Sequence, residues 1–176
     1  MRIGIVGTHG VGKSTLVSQL AMLLRIPPIE EQARVVHGEG FELNEKATMS
    51  TQLYMLFKHF NKEDTFKSFV SDRTPLDYIA YASLRNRLTK IEQYLFWEMR
   101  QYALTRMNLY DFIVYVPIEF GVEDDGVRSM DESFRSNIDS KIQNLLGSIN
   151  NTIVTVTGSV QDRLDQIASA ISSKKS

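Results

Sequence analysis

The chain has no cysteine among its 176 residues, which excludes disulfides, zinc–thiolate sites and thiol nucleophiles. It also lacks an excess of either charge: the formal net charge is −1, so only a local basic patch could carry contact with a nucleic acid. Long apolar runs are missing too. The most conspicuous one, "LAMLLRIPPI", carries Arg25 and two prolines and is too short to span a bilayer. The first apolar run is a short strand that ends at Gly7, unlike a signal peptide, so a cytoplasmic protein with no membrane partner is expected. No internal repeat and no linker interrupt the chain. One domain is expected over residues 1–172, with a flexible tail at 173–176.

What is present is an ordinary globular composition, 43% hydrophobic and 23% charged. Ile3, Ile5 and Val6 form a β-rich run of the kind buried on both faces of a parallel sheet. A helix is expected from Lys13, then an extended piece ending near Glu30 or Glu31, because residues before proline avoid the α region. A helix rich in aromatics follows over about Glu45 to Asn61, then a strand ending at Asp72. Thr74, Pro75 and Asp77 are a helix start. Lys90 to Met107 reads as a further helix and "YDFIVYVPI" as a strand. Ser129 with Glu132 forms a capping-box signature for a helix to about Leu146; a last strand and a helix over Val160 to Ile171 close the pattern. Strands alternating with helices predict an α/β fold, a parallel sheet with helices on both faces.

Gly7, four residues, then Gly12-Lys13-Ser14 match the spacing of a phosphate-binding loop between a strand and a helix. Glycines let such a backbone wrap with its N–H groups turned toward a β-phosphate. Lys13 would reach the β- and γ-phosphates, the Ser14 hydroxyl would ligate Mg²⁺, and the helix adds its positive N-terminal end. Gly7, Thr8, His9, Gly10, Val11, Gly12, Lys13, Ser14 and Thr15 together make the nucleotide-binding stretch, with His9 as loop filler. No D-x-x-G occurs, and "NKED" at Asn61 to Asp64 follows a helix instead of ending an apolar strand, which counts against a GTPase switch. The strand "FVSDR" ends Asp-Arg: Asp72 can hold a Mg²⁺ shell, while Arg73 suits an anionic or hydroxylated substrate better than the activation of water.

With "EEQAR" between the loop and "SDRTPLDYIAYA", and "DGVR" downstream, the chain resembles the small P-loop kinases from Ile3 to about Leu146. It looks most similar to the ribosylnicotinamide-kinase-like AAA group, which includes phage kinases of 5-hydroxymethyluracil in DNA, with deoxynucleoside kinases more distant. That resemblance implies a P-loop NTPase fold with a five-stranded parallel sheet and a small arginine-bearing lid, and ATP with Mg²⁺ as cofactors. It implies Glu31 facing an acceptor hydroxyl, Arg34 holding substrate, and Asp72 and Arg73 as the pair ending the third strand. Arg128 matches the lid arginine, and Arg135 lies two helical turns beyond it.

Read from the residues alone, these roles compete with blander ones. Transfer to an alcohol needs a carboxylate near the acceptor, whereas transfer to a phosphate needs arginines. Glu31 favours the alcohol, yet Glu30 stands beside it, and Arg34 and Arg73 could serve a monophosphate. Arg73 could equally form a salt bridge, Asp77 could simply cap its helix, and Arg128 could belong to a plain acidic loop. The aromatics Tyr54, Phe57 and Phe60 could stack on a base or pack in the core; Trp97 is expected in the core, and Lys58, His59 and Lys62 on a solvated face. The expected acceptor is a nucleoside-like compound or a hydroxymethylated base in DNA. A nucleoside monophosphate kinase and a non-catalytic nucleotide switch are the alternatives.

Overall fold

A computed structural model describes residues 1–85, 87–121 and 129–175. Five strands, β1 (Arg2–Val6), β2 (Pro28–Ile29), β3 (Phe69–Asp72), β4 (Phe112–Tyr115) and β5 (Thr152–Thr155), form one parallel sheet in the order β2-β3-β1-β4-β5. The helices are α1 (Lys13–Leu24), α2 (Gln32–Gly38), α3 (Met49–Thr65), α4 (Pro75–Ser83), α5 (Lys90–Met107), α6 (Glu132–Leu146) and α7 (Val160–Lys175). Among the described residues no helix is long and apolar enough to cross a membrane.

Alternation along the strands builds two cores. Ile3, Ile5, Val70, Phe112 and Val114 pack with Leu16, Leu20, Leu164 and Ile167 on the α1/α7 face. Val6, Phe69, Ile113 and Tyr115 point the other way, into a larger core with α3 to α6. The central strand admits α4 closely because Gly4 has no side chain: a Cβ there would lie 2.4 Å from Thr74 Cγ2. The chain order places the ends of β1 and β3 side by side, with Ile5 paired to Asp72. Ligand crevices of open parallel sheets form at such carboxyl ends.

The α/β sheet and the ranges of α1 and α5 agree with the sequence reading. Several details differ. The short α2 was not anticipated, and the helix expected from Glu45 begins instead at Met49, behind a 3-10 turn at Asn44–Lys46, where Thr48 and Thr51 make the capping box. The α6 cap is Asp131, whose Oδ1 accepts from the N–H groups of Ser133 and Phe134 at 2.8 and 3.1 Å; Ser129 lies outside the helix. The last helix continues past Ile171 to Lys175, so residues 173–175 are helical where a tail was expected. Trp97 is 55% exposed, a correction to its expected core position: α5 turns Met99, Ala103 and Met107 inward and leaves Trp97 outside. His59 is buried against Glu63 at 3.1 Å, not part of a solvated basic face.

Candidate active site

The phosphate loop joins β1 to α1. Gly7 passes so near the next strand that a Cβ would meet the Val116 carbonyl at 2.5 Å, and Gly12 caps α1 with φ 86°, in the left-handed region. The carbonyls of this loop are turned outward onto two buried arginines. Arg135 Nε donates to His9 O at 3.2 Å and its Nη2 to Gly10 O at 3.4 Å; Arg163 Nη1 donates to Val11 O at 2.8 Å. Holding carbonyls out is what turns loop amides in, toward a bound anion. Lys13 is buried and donates to Thr8 O at 2.7 Å; burial, then the Arg73 charge, pulls its pKa below the usual lysine range.

A second anchor comes from α4. Asp77 completes the capping box with Thr74, accepting at Oδ2 from Thr74 N at 2.7 Å and Oγ1 at 3.0 Å. Its Oδ1 also accepts from Gly7 N at 3.3 Å. The capping acid therefore also ties the loop's first glycine to α4. Burial raises the pKa of this carboxyl, a cost offset by Arg73, Lys13 and the backbone donors.

The Ser14 hydroxyl donates to Asp72 Oδ2 at 2.5 Å, joining the two residues expected to hold a metal. Asp72 Oδ1 is buried and has no hydrogen-bond partner among the described residues. An unpartnered buried carboxylate oxygen is costly, and a cation would satisfy it. Among the described residues no group of three or more histidine, aspartate or glutamate side chains is arranged to hold a metal ion. A hydroxyl and one carboxylate suit Mg²⁺, which takes few protein ligands and fills its octahedron with phosphate oxygens and water.

Beside this lies a pocket whose lining includes His9, Glu31, Gln52, Arg73, Tyr78 and Tyr81. Arg73 ends β3 with φ 82°, a conformation that disfavours any residue but glycine. Its neighbours hold it there. The Arg73 N–H donates to Ile5 O at 3.0 Å, its Nε to Glu31 Oε1 at 2.5 Å, and its guanidinium lies 4.8 Å from the Tyr81 ring centroid. Nη2 joins the pair with Glu31, and Nη1 lies 3.9 Å from Asp77. The salt-bridge alternative for Arg73 is thus realised within the site, with Glu31 as its partner. Glu31 also borders the phosphate-loop pocket, which Glu30 does not. Arg34, exposed on α2, lines the same pocket, on the side where the sequence reading expects an acceptor.

Two expected substrate groups stand differently. Arg135 is 1% exposed and faces the loop carbonyls and Glu132 (3.2 Å), so it braces the loop and does not line the pocket of Glu31 and Arg73. Arg128, the expected lid arginine, lies outside the described residues, as do residues 122–127. The aromatic helix sends Gln52 and Met55 into the pocket, while Tyr54 and Phe57 are partly exposed elsewhere and Phe60 packs in the core. Gln52 Oε1 and the Tyr78 hydroxyl are buried without a hydrogen-bond partner among the described residues.

A family model for an AAA domain matches residues 2–163. The chain belongs to that family. A search of curated proteins finds no match. Among solved structures the family fold is shared with a deoxyadenosine kinase from M. mycoides bound to dCMP and dCDP: 17% identity, 98% of this chain and 100% of that one, TM-score 0.70. NadR in complex with NR is similar at 19% identity over 96% of this chain and 50% of that chain, with a TM-score of 0.77. Shikimate kinase from Aquifex aeolicus superposes over 99% of this chain and 98% of its own, at 15% identity and a TM-score of 0.61. In fold, this AAA-domain chain resembles these small kinases.

Proposed function

We propose that the chain is a Mg²⁺-dependent kinase that passes the γ-phosphate of ATP to a hydroxyl of a nucleoside-like acceptor, acting as a single domain in the cytoplasm. The observation that carries this reading is the place of Glu31, between the phosphate-loop pocket and the acceptor-side pocket, with its carboxylate oriented by Arg73. A carboxylate there can orient an alcohol and take its proton. A phosphate acceptor would instead have to share Arg73 with Glu31, while Arg135 already faces the loop.

In this mechanism the acceptor oxygen attacks the γ-phosphorus, the bond from that phosphorus to the β–γ bridging oxygen breaks, and ADP leaves. The hydroxyl proton passes to Glu31. Lys13 and the loop amides hold the β- and γ-phosphates, and Arg73 keeps Glu31 aimed while Arg34 contributes to substrate binding. Ser14 and Asp72 would hold Mg²⁺, which would supply charge neutralisation on the phosphates. Gln52 and Tyr78 offer polar atoms to a planar base. Arg128 would close over the triphosphate and limit transfer to water.

The test is transfer from γ-labelled ATP with Mg²⁺ to three acceptors in parallel: a nucleoside pool including nicotinamide riboside, a nucleoside monophosphate pool, and DNA containing 5-hydroxymethyluridine. Label in a nucleoside or in the DNA base supports the hydroxyl reading and tells the two apart. Label only in monophosphates overturns the role of Glu31. Tight ATP binding with no label anywhere favours a switch.

A further inference from the structure

His9 occupies a loop position that the sequence marks as filler, yet its ring is 4% exposed and lies where three parts of the site meet. Its Nε2 is 3.1 Å from the carbonyl oxygen of Ser129. A carbonyl only accepts, so Nε2 carries the hydrogen. Nδ1, 2.9 Å from the Tyr81 hydroxyl, is therefore the acceptor, and Tyr81 donates. Both nitrogens are used and the tautomer is fixed. Burial, with Arg73 and Lys13 adding to it, lowers the His9 pKa to about 4, so the ring is neutral at physiological pH.

Each partner leads further into the site. Tyr81 lines the acceptor-side pocket and lies under the Arg73 guanidinium, which in turn holds Glu31. Ser129 stands before α6, and its hydroxyl donates to Glu45 in the 3-10 turn whose Asn44 borders the same pocket. The main chain of His9 is part of the phosphate loop, with its carbonyl on Arg135. The imidazole also borders both the phosphate-loop and acceptor-side pockets.

We propose that His9 is a positioning residue that makes phosphate-loop alignment depend on the acceptor-side pocket, through the chain Glu31–Arg73–Tyr81–His9, and so favours transfer to the acceptor over transfer to water. The inference rests on the kinase reading above. An acceptor that settles against Glu31 and Arg73 fixes the ring on which Arg73 lies. The Tyr81 hydroxyl then fixes the His9 side chain, and with it the loop residue that must hold the γ-phosphate in line. Without that link the γ-phosphorus remains open to a water oxygen, which breaks the same bond and yields ADP and inorganic phosphate. Small errors in reacting geometry cost large factors in rate, so a loosened loop should change the partition between the two outcomes.

The experiment measures two rates in the full chain: label transferred from γ-labelled ATP to the nucleoside pool containing nicotinamide riboside, and phosphate released to water. Wild type is compared with His9→Ala, His9→Asn and Tyr81→Phe. Tyr81→Phe keeps the ring under Arg73 and removes only the hydroxyl, so it tests the link without emptying the core. The expected result for His9→Ala and Tyr81→Phe is a fall of about tenfold or more in the ratio of transfer to hydrolysis, carried by kcat, with the KM for ATP changed less than about threefold. His9→Asn, which keeps a polar atom near Nδ1, should recover part of the ratio. Their double variant should be no worse than the poorer single one, as expected for two members of one link. Transfer and hydrolysis falling in parallel, or a Tyr81→Phe ratio equal to wild type, overturns the role of His9. Failure of wild type to label the pool, with label in monophosphates alone, overturns the hydroxyl-acceptor reading above and the coupling with it.

Discussion

Replacing Glu31 by Gln keeps the length and shape of the side chain and one carbonyl-type acceptor for Arg73, but removes the charge and the proton-accepting oxygen. Two effects can be separated. The first is structural. Arg73 is mostly buried and retains the ring of Tyr81 and the distant Asp77, so Glu31→Gln weakens the charge-assisted bonding of Nε and Nη2 to Glu31 and does not strand a cation. Such a bond contributes about 1.5–3 kcal/mol, and a neutral amide recovers part of it. A loss of about 1–2 kcal/mol follows, which for a chain of this size lowers Tm by roughly 2–8 °C. The second effect is chemical. Positioned general-base groups contribute about 10²- to 10⁴-fold to rate, equivalent to about 2.7–5.4 kcal/mol of transition-state stabilisation. Glu31→Gln should therefore cut kcat for transfer to a hydroxyl at least 100-fold while KM for ATP stays within a few fold. Steady-state kinetics with γ-labelled ATP, run beside a thermal melt, read both. A folded Glu31→Gln protein that keeps kcat within about fivefold of wild type refutes the assignment, because the carboxylate would then be only the partner of Arg73.

Asp72→Asn should raise the Mg²⁺ concentration needed for half-maximal transfer by about tenfold or more, since it takes the charge from the carboxylate whose Oδ1 has no hydrogen-bond partner among the described residues; a Mg²⁺ titration of activity checks it. Arg135→Met leaves the carbonyls of His9 and Gly10 without their buried donor and should lower stability by about 2–4 kcal/mol, with a smaller Tm rise on adding ATP than wild type shows. A melt with and without nucleotide separates loop bracing from general packing. His9 gives a pH signature in the ligand-free protein. Its pKa is about 4 when folded against 6.5 for the free side chain, so between those values the unfolded chain binds the extra proton. Stability from this group is intact above pH 6.5 and is lost as pH falls toward 4, by about 3 kcal/mol in total, and His9→Asn should flatten that slope in denaturant titrations between pH 4 and 7.

The parts of the molecule that were legible in the sequence are those encoded by neighbouring residues. Eight consecutive positions define the phosphate loop, and three define the cap of α4. Periodicity gave α5 to the residue, although it did not tell which side of that helix faces out, and Trp97 ended on the exposed side. Contacts between distant residues were not encoded in that way. The bond from Arg73 to Glu31 joins positions 42 apart, and the link from Tyr81 to His9 joins positions 72 apart, with Tyr81 looking like any core residue of an apolar helix. The arginines are the instructive case. An arginine near a phosphate site invites assignment to the substrate, but a buried guanidinium first needs acceptors, and a phosphate loop buried under helices needs donors for its outward carbonyls. Arg135 and Arg163 meet both needs from α6 and α7, 126 and 152 positions away from the carbonyls they hold. Only arginines left after those carbonyls are satisfied remain to be weighed as substrate ligands; in the proposed reaction these include Arg34 and Arg73, and Arg73 is paired to the carboxylate that would accept the proton.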